Sequence, residues 1–495
     1  MSSQKFILAV DQGTSSTKSL VFDGKGQAIA KGSENLYTHY SDNGFVEQEP
    51  EVIYQNVLAS VKKCLDQFAE KGFDQNEIAA VGISNQRETF VIWDKNGKPL
   101  HHAVVWQCKR SVQICEELKQ SGLSKSVNEK TGLVIDPYFS ATKLIWLFQN
   151  NTAVREAIQK GEAYFGTIDT WLLYKLTNGQ SYATDYTNAS RTLLFNLHSL
   201  QWDAELINKF GLTGIHLPEI KSSSALFAET DLAGLLEKNI PVTAMIGDSH
   251  AAAFGEGCFE KGTAKATLGT GCSILMNIGD KPVQSNNGMV TTVCWSANGR
   301  IDYAFEGVIV SCGATIEWLK NEMNLFTDSK ETEAMATSVA DNGGVYLIPA
   351  FSGLGSPHWD MERRASLTGI SFGTTKNHIV RAALESIPYQ IKDVIVAMEK
   401  DAGVSLQELN ADGGITSNTF VIQFLTDLLN KNVATIGMPD VSALGAAYLA
   451  GLQTGVYKSI EALKKLNANK KNNLPQADLS NVNKGYAGWQ NEINN

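Results

Sequence analysis

The first thirty residues limit the fold more than any other stretch of the chain. Residues 5–10 (KFILAV) form an apolar run that ends on Asp11. A small-residue turn follows (Gln12-Gly13-Thr14-Ser15-Ser16), and residues 18–22 (KSLVF) resume the extended pattern. Asp23-Gly24-Lys25-Gly26 then turns the chain into a third extended piece at 27–30. Dinucleotide-binding and P-loop units place a helix directly after their glycine-rich turn, and neither motif occurs here in that setting. A nucleotide site in this chain would therefore be built on a hairpin.

Helix and strand signals alternate after this meander. Pro50–Glu70 has helical spacing, Ile78–Ile83 reads as a buried strand ending in a polar run, and Val242–Ile246 is a short strand stopping at Gly247-Asp248. Residues 184–191 read as a loop. Near Gly262 the opening pattern returns: residues 263–268 are extended, Gly269-Thr270-Gly271 is a tight turn, and residues 273–278 are extended again. A recurrence of architecture about 250 residues on suggests two related α/β domains, 1–256 and 257–495. Two domains also suit a 495-residue chain, which is too long for one ordinary core. Helical signals at 314–322, 377–400, 419–429 and 443–454 follow, with Pro388 expected to kink or interrupt the second. Small residues cover most of the last, which predicts close helix packing.

Charge and cysteines remove several function classes. The formal charge of −10 argues against nucleic acid and anionic membrane surfaces as partners, since both are bound through lysine and arginine. Seven scattered cysteines without a CxxC pair argue against disulfides and structural zinc. No leader pattern precedes the first strand and no run reaches membrane-spanning length, so the cytoplasm is the default compartment.

Four groups of residues could carry chemistry. In the Asp11–Lys18 turn, Gly13 allows a tight bend, Thr14, Ser15 and Ser16 offer hydroxyls, and Lys18 offers a cation. Such a nest suits phosphate oxygens, with Asp11 useful through a magnesium ion; an ordinary hairpin would look the same. Asp248 follows a buried strand and is either a general base or a helix N-cap. Arg87-Glu88 could bind hydroxyls, Arg donating and Glu accepting, or form a surface ion pair. Gly413 and Gly414 would let a flat ligand such as a purine approach the backbone.

Together these stretches, with residues 85–89, 105–110, 131–140, 166–171, 184–192, 351–360 and 412–418, resemble the sugar kinase family named after its FGGY motif, and within it the glycerol-phosphorylating branch. The resemblance covers residues 6 to about 457. It implies two actin-like (RNase H-like) ATPase domains flanking a central cleft, and transfer of the ATP γ-phosphoryl to a terminal hydroxyl. Asp248 would take the hydroxyl proton, and Asp11 with Asp248 would hold Mg2+. Thr14, Ser15, Ser16, Lys18 and Thr270 would meet the phosphates, and Gly313, Glu317, Gly414 and Asn418 would surround the nucleotide. Arg87, Glu88, Trp106 and Tyr138 would hold a small polyol, glycerol first. Ser249 and Ser273 stand where that branch usually carries Gln and Phe, so a roomier, more polar pocket is expected. A four- or five-carbon polyol or ketose (erythritol, threitol, xylitol, xylulose) is the alternative substrate. A non-metabolic actin-fold ATPase is the more distant alternative, and the oligomeric state, including a homo-oligomer, stays open.

Overall fold

The computed structural model describes residues 5–467 and 470–494; the reading of residues 1–4 as a leader-free start lies outside them. Strand Phe6–Gln12 pairs antiparallel with Ser16–Phe22, putting Asp11 opposite Lys18, and parallel with Ile78–Asn85. Ile240–Gly247 adds a further parallel strand beyond Ile78–Asn85, and Ala28–Asn35 and Ser224–Thr230 form the two edges. The two-residue strand period divides one segment between two cores. Phe6, Leu8 and Val10 pack under helix Pro50–Glu70. Ile7 and Ala9 pack on the other face under helix Val441–Thr454. Apolar cover on both faces is why the strand reads as an unbroken apolar run rather than an alternating one.

The second large sheet repeats this order. Thr263–Leu268 is antiparallel to Cys272–Gly279 and parallel to Glu408–Asp412, with Val433–Thr435 parallel beyond it. Arg300–Ile309 and Val290–Ala297 extend the hairpin side, and Lys471–Asn473 closes the other edge. Each sheet is thus a meander joined to parallel strands, the RNase H-like arrangement, and the actin-like pairing expected from the sequence is present. Parallel strands end at a common edge. Gln12, Asn85 and Gly247 close the first sheet there, Leu268 and Asp412 close the second, and one cleft of about 1200 Å³ is lined from both.

Helix Val441–Thr454 belongs in sequence to the second unit but lies on the first sheet and on helix Asp248–Gly255. Small residues make that approach attainable. A Cβ on Gly445 would stand 1.8 Å from the Ala251 carbonyl oxygen, and one on Gly82 would stand 2.4 Å from that of Ala446. Two expectations need correction. Helix Lys376–Ala402 runs through Pro388, so the interruption, one of the two expected outcomes, does not occur; burial along residues 380–398 on several sides holds the turn that has lost one N–H. Residues 184–191 are not simply a loop, since Asp185 caps a short helix at Tyr186–Ala189 by accepting from the amides of Thr187 and Asn188.

Candidate active site

Gly247 occupies the N-cap position of helix Asp248–Gly255, so Asp248 is the first helical residue and not the cap. Its carboxylate sits at the positive end of the helix. Oδ1 accepts from the Ser249 amide at 2.6 Å and lies 3.2 Å from Arg87 Nε. Asp11, two strands away with Ile78–Asn85 between, lines the same cleft. Burial, reinforced by the neighbouring Asp248 carboxylate, pushes the Asp11 carboxyl up to about 6. Its Oδ1 is shut off from solvent and accepts no hydrogen bond. An orphaned carboxylate oxygen beside a second carboxylate is the donor set a hard cation would satisfy. Among the described residues no group of three or more His, Cys, Asp or Glu side chains could cage a metal. The Asp11–Asp248 pair fits magnesium, which usually takes one or two carboxylates and keeps phosphate oxygens and water as its other ligands.

Arg87 and Glu88 are not a surface ion pair; both are buried, with side chains 6% and 1% exposed. Glu88 has φ 58°, a left-handed conformation that costs a non-glycine residue on the order of 1 kcal/mol. The bend is secured from both sides: the Thr89 amide donates to the Arg87 carbonyl and Ser140 Oγ donates to the Glu88 carbonyl. Burial raises the Glu88 carboxyl, and Arg191 and Arg87 oppose that rise. Trp106 and Tyr138 meet edge to face with centroids 5.5 Å apart, and Trp106 Nε1 donates to Thr14 Oγ1 at 3.0 Å. The apolar wall is therefore tied to the phosphate turn. The turn carrying Tyr138 is held by buried Lys143, whose ammonium donates to the carbonyls of Pro137, Tyr138 and Phe139. Ser249 Oγ and Ser273 Oγ face each other across the cleft at 3.4 Å, and Ser273 Oγ donates to Glu306.

On the phosphate side, Asp11, Thr14, Lys18, Thr270 and Gly414 line the cleft together, whereas Ser15, Ser16, Gly313, Glu317 and Asn418 stand outside its lining. Glu317 is exposed and accepts from Ser329 and Asn321. Asn418 caps helix Thr419–Leu429 by accepting from the Val421 amide, and its amide donates to Thr332. The Lys18 ammonium pairs with Asp440 at 3.0 Å, a residue of the second unit. The two glycines do different things. Gly413 has φ 93° and its Cβ would meet the Leu268 carbonyl at 2.4 Å, so its reason is backbone packing; Gly414 borders open space.

Two buried residues at this site were not singled out from the sequence. Glu306 forms ion pairs with Arg87 Nη1 at 2.8 Å and Arg191 Nη2 at 2.6 Å, and Arg191 Nε donates to Glu88 at 2.6 Å. The signal for Glu306 was available. A lone carboxylate in the apolar run YAFEGVIV has to find a cationic partner if the run is buried. His250 is fully buried with its pKa well below the ordinary value, by burial first and then by Arg87. All seven cysteines are free and buried. Burial pushes the Cys258 and Cys312 thiols up to about 12, away from reactive thiolate.

Two α/β sheets that present carboxylates, a phosphate hairpin and an aromatic-walled pocket to one cleft define the class. Residues 6–255 match the model of the N-terminal domain of the FGGY family of carbohydrate kinases, and residues 264–454 match that of its C-terminal domain. The chain belongs to this family. It is 45% identical over 487 residues to a glycerol kinase of Fusobacterium nucleatum, covering 98% of this chain and 97% of that one. It is 46% identical over 491 residues to a glycerol kinase of Brevibacillus brevis, covering 99% and 97%. The structure of Plasmodium falciparum glycerol kinase with ADP superposes with a TM-score of 0.93 at 34% identity, covering 99% of this chain and 98% of that one. A xylulose kinase of Lactobacillus acidophilus superposes with a TM-score of 0.87 at 22% identity, covering 99% and 98%, a likeness of fold alone. Among the described residues no helix is long and apolar enough to cross a membrane.

Proposed function

We propose that the protein transfers the γ-phosphoryl group of ATP to a terminal hydroxyl of a small polyol, with glycerol as the first-ranked acceptor and glycerol 3-phosphate as its product. The observation that carries this reading is the shared cleft: Asp248 stands 3.2 Å from Arg87, and Glu88, Trp106 and Tyr138 line the same cleft as Thr14, Lys18 and Thr270. Arg87 donates to acceptor hydroxyls, Glu88 accepts from them, and Trp106 covers the carbon face. Asp248 Oδ2 takes the proton of the attacking hydroxyl as the new P–O bond forms and the bond to ADP breaks. Lys18, Thr14 and Thr270 hold the phosphates in line. In this reading residues 1–256 carry the polyol and phosphate contacts and residues 257–495 bind the nucleotide, the compartment is the cytoplasm, and the likeness to named glycerol kinases supports the ranking of the acceptor.

Asp11 and Asp248 would hold magnesium, which would supply charge neutralisation on the triphosphate. Asp11 must be ionised to serve, so affinity for Mg-ADP is lost as pH falls through about 6. Isothermal titration at pH 7.5 and 5.0 should show binding weakened by about tenfold at the lower pH. Asp11→Asn should be weaker at pH 7.5 and show a much smaller pH effect; equal pH effects in both proteins would remove Asp11 from the metal site.

Ser249 and Ser273 bear on which polyol is preferred. A pocket lined by two hydroxyls penalises a ligand that leaves them unpaired. The test is an ADP-release assay across glycerol, dihydroxyacetone, erythritol, threitol, xylitol and xylulose. Glycerol is expected to give the highest kcat/KM, with erythritol or threitol following it. A four- or five-carbon compound exceeding glycerol by about tenfold (roughly 1.4 kcal/mol) would displace glycerol as the acceptor.

A further inference from the structure

Glu306 lies mid-strand in Arg300–Ile309 of the second sheet, and its side chain is fully buried. A buried carboxylate is destabilising unless it is paired and hydrogen-bonded. Both of its oxygens are engaged by residues of the first unit: Oε1 lies 2.8 Å from Arg87 Nη1 and Oε2 lies 2.6 Å from Arg191 Nη2. Arg191 Nε reaches Glu88 Oε1 at 2.6 Å, and Arg87 Nε lies 3.2 Å from Asp248 Oδ1. Five charges of alternating sign therefore run in one chain, Glu88, Arg191, Glu306, Arg87, Asp248. Both guanidiniums hold the Glu306 carboxyl far below the ordinary carboxylate range, against its burial.

We infer that Glu306 is the positioning residue of the acceptor site, fixing the Arg87 guanidinium directly and the Glu88 carboxylate through Arg191. This rests on the reading of Arg87 and Glu88 as acceptor ligands. Long side chains lose rotamer freedom when they bind a flexible polyol, and a partner that has already fixed them reduces that loss. Because Glu306 belongs to the second sheet and its partners to loops of the first unit, the acceptor pocket is complete only when the two units are apposed as they are here. The phosphate turns at Thr14, Lys18 and Thr270 lie outside this chain of charges, which meets the nucleotide side only at its Asp248 end, so the acceptor should respond more strongly than ATP to its loss.

Steady-state kinetics with the preferred polyol and ATP on the full chain test this. Glu306→Gln leaves two buried guanidiniums short of charge and should raise the acceptor KM by about tenfold or more, with the ATP KM within about twofold of the parent. The paired replacement Arg191→Gln with Glu306→Gln removes one charge of each sign. It should raise the acceptor KM similarly, and it keeps the test available if Glu306→Gln does not fold. An unchanged acceptor KM in whichever variant folds, or acceptor and ATP KM rising together, would overturn the inference. Glu88→Gln is measured alongside: if it leaves the acceptor KM unchanged, the underlying assignment of the acceptor ligands has failed instead.

Discussion

Asp248→Asn is expected to lower kcat by about 10²–10⁴-fold, the span a positioned general base contributes, while ADP affinity measured without magnesium stays within about threefold. The substitution is nearly isosteric and keeps the oxygen that accepts from the Ser249 amide, so the helix start is preserved. It removes the group able to receive the hydroxyl proton, and it removes one carboxylate from the pair with Asp11. Rapid-quench measurement of the first turnover separates this from slow product release. A variant with unimpaired single-turnover transfer would show that Asp248 is not the base.

Gly445→Val should have the largest effect on the fold. The added Cβ would lie 1.8 Å from a backbone oxygen of the helix that begins with Asp248, and backbone cannot yield as a side-chain tip can. Overpacking of this kind costs about 3 kcal/mol, occasionally more. Urea denaturation should show the midpoint moving down accordingly, whereas Gly24→Ala, where a Cβ meets nothing within 4 Å, should leave it unchanged. Any folded fraction of Gly445→Val should also have reduced kcat, because helix Val441–Thr454 braces helix Asp248–Gly255. A midpoint equal to the parent's would mean that the two helices tolerate separation.

How much of this could be read from the residues depends on whether the physics involved is local. The opening meander was legible because apolar strands and small-residue turns follow one another directly, and its recurrence after Gly262 correctly announced a second sheet of the same order. The close packing of helix Val441–Thr454 was legible too, since runs of small residues have few other uses in a helix. Asp248 as a helix N-cap was not borne out, because Gly247 takes that place, one residue earlier than side-chain preference suggests. Pro388 does not interrupt its helix, because local cost does not register the packing around residues 380–398. Arg191 and Glu306 went unnoticed because their partners lie about 100 residues or more away in the chain, and only the folded sheets bring them together. Gly313, Glu317 and Asn418 are placed with the nucleotide by resemblance alone, because no local pattern in the sequence points to them; Asn418 also caps helix Thr419–Leu429.

The most direct test follows phosphorus itself. ADP release and the 31P spectrum are recorded together, with and without saturating glycerol, using magnesium and ATP. The geometry predicts that ADP release is strongly stimulated by the polyol and that each ADP is matched by one phosphate monoester on a terminal carbon, with little free phosphate. ADP release at the same rate without any polyol, accompanied by inorganic phosphate alone, would contradict a phosphotransferase and leave a water-splitting actin-fold ATPase.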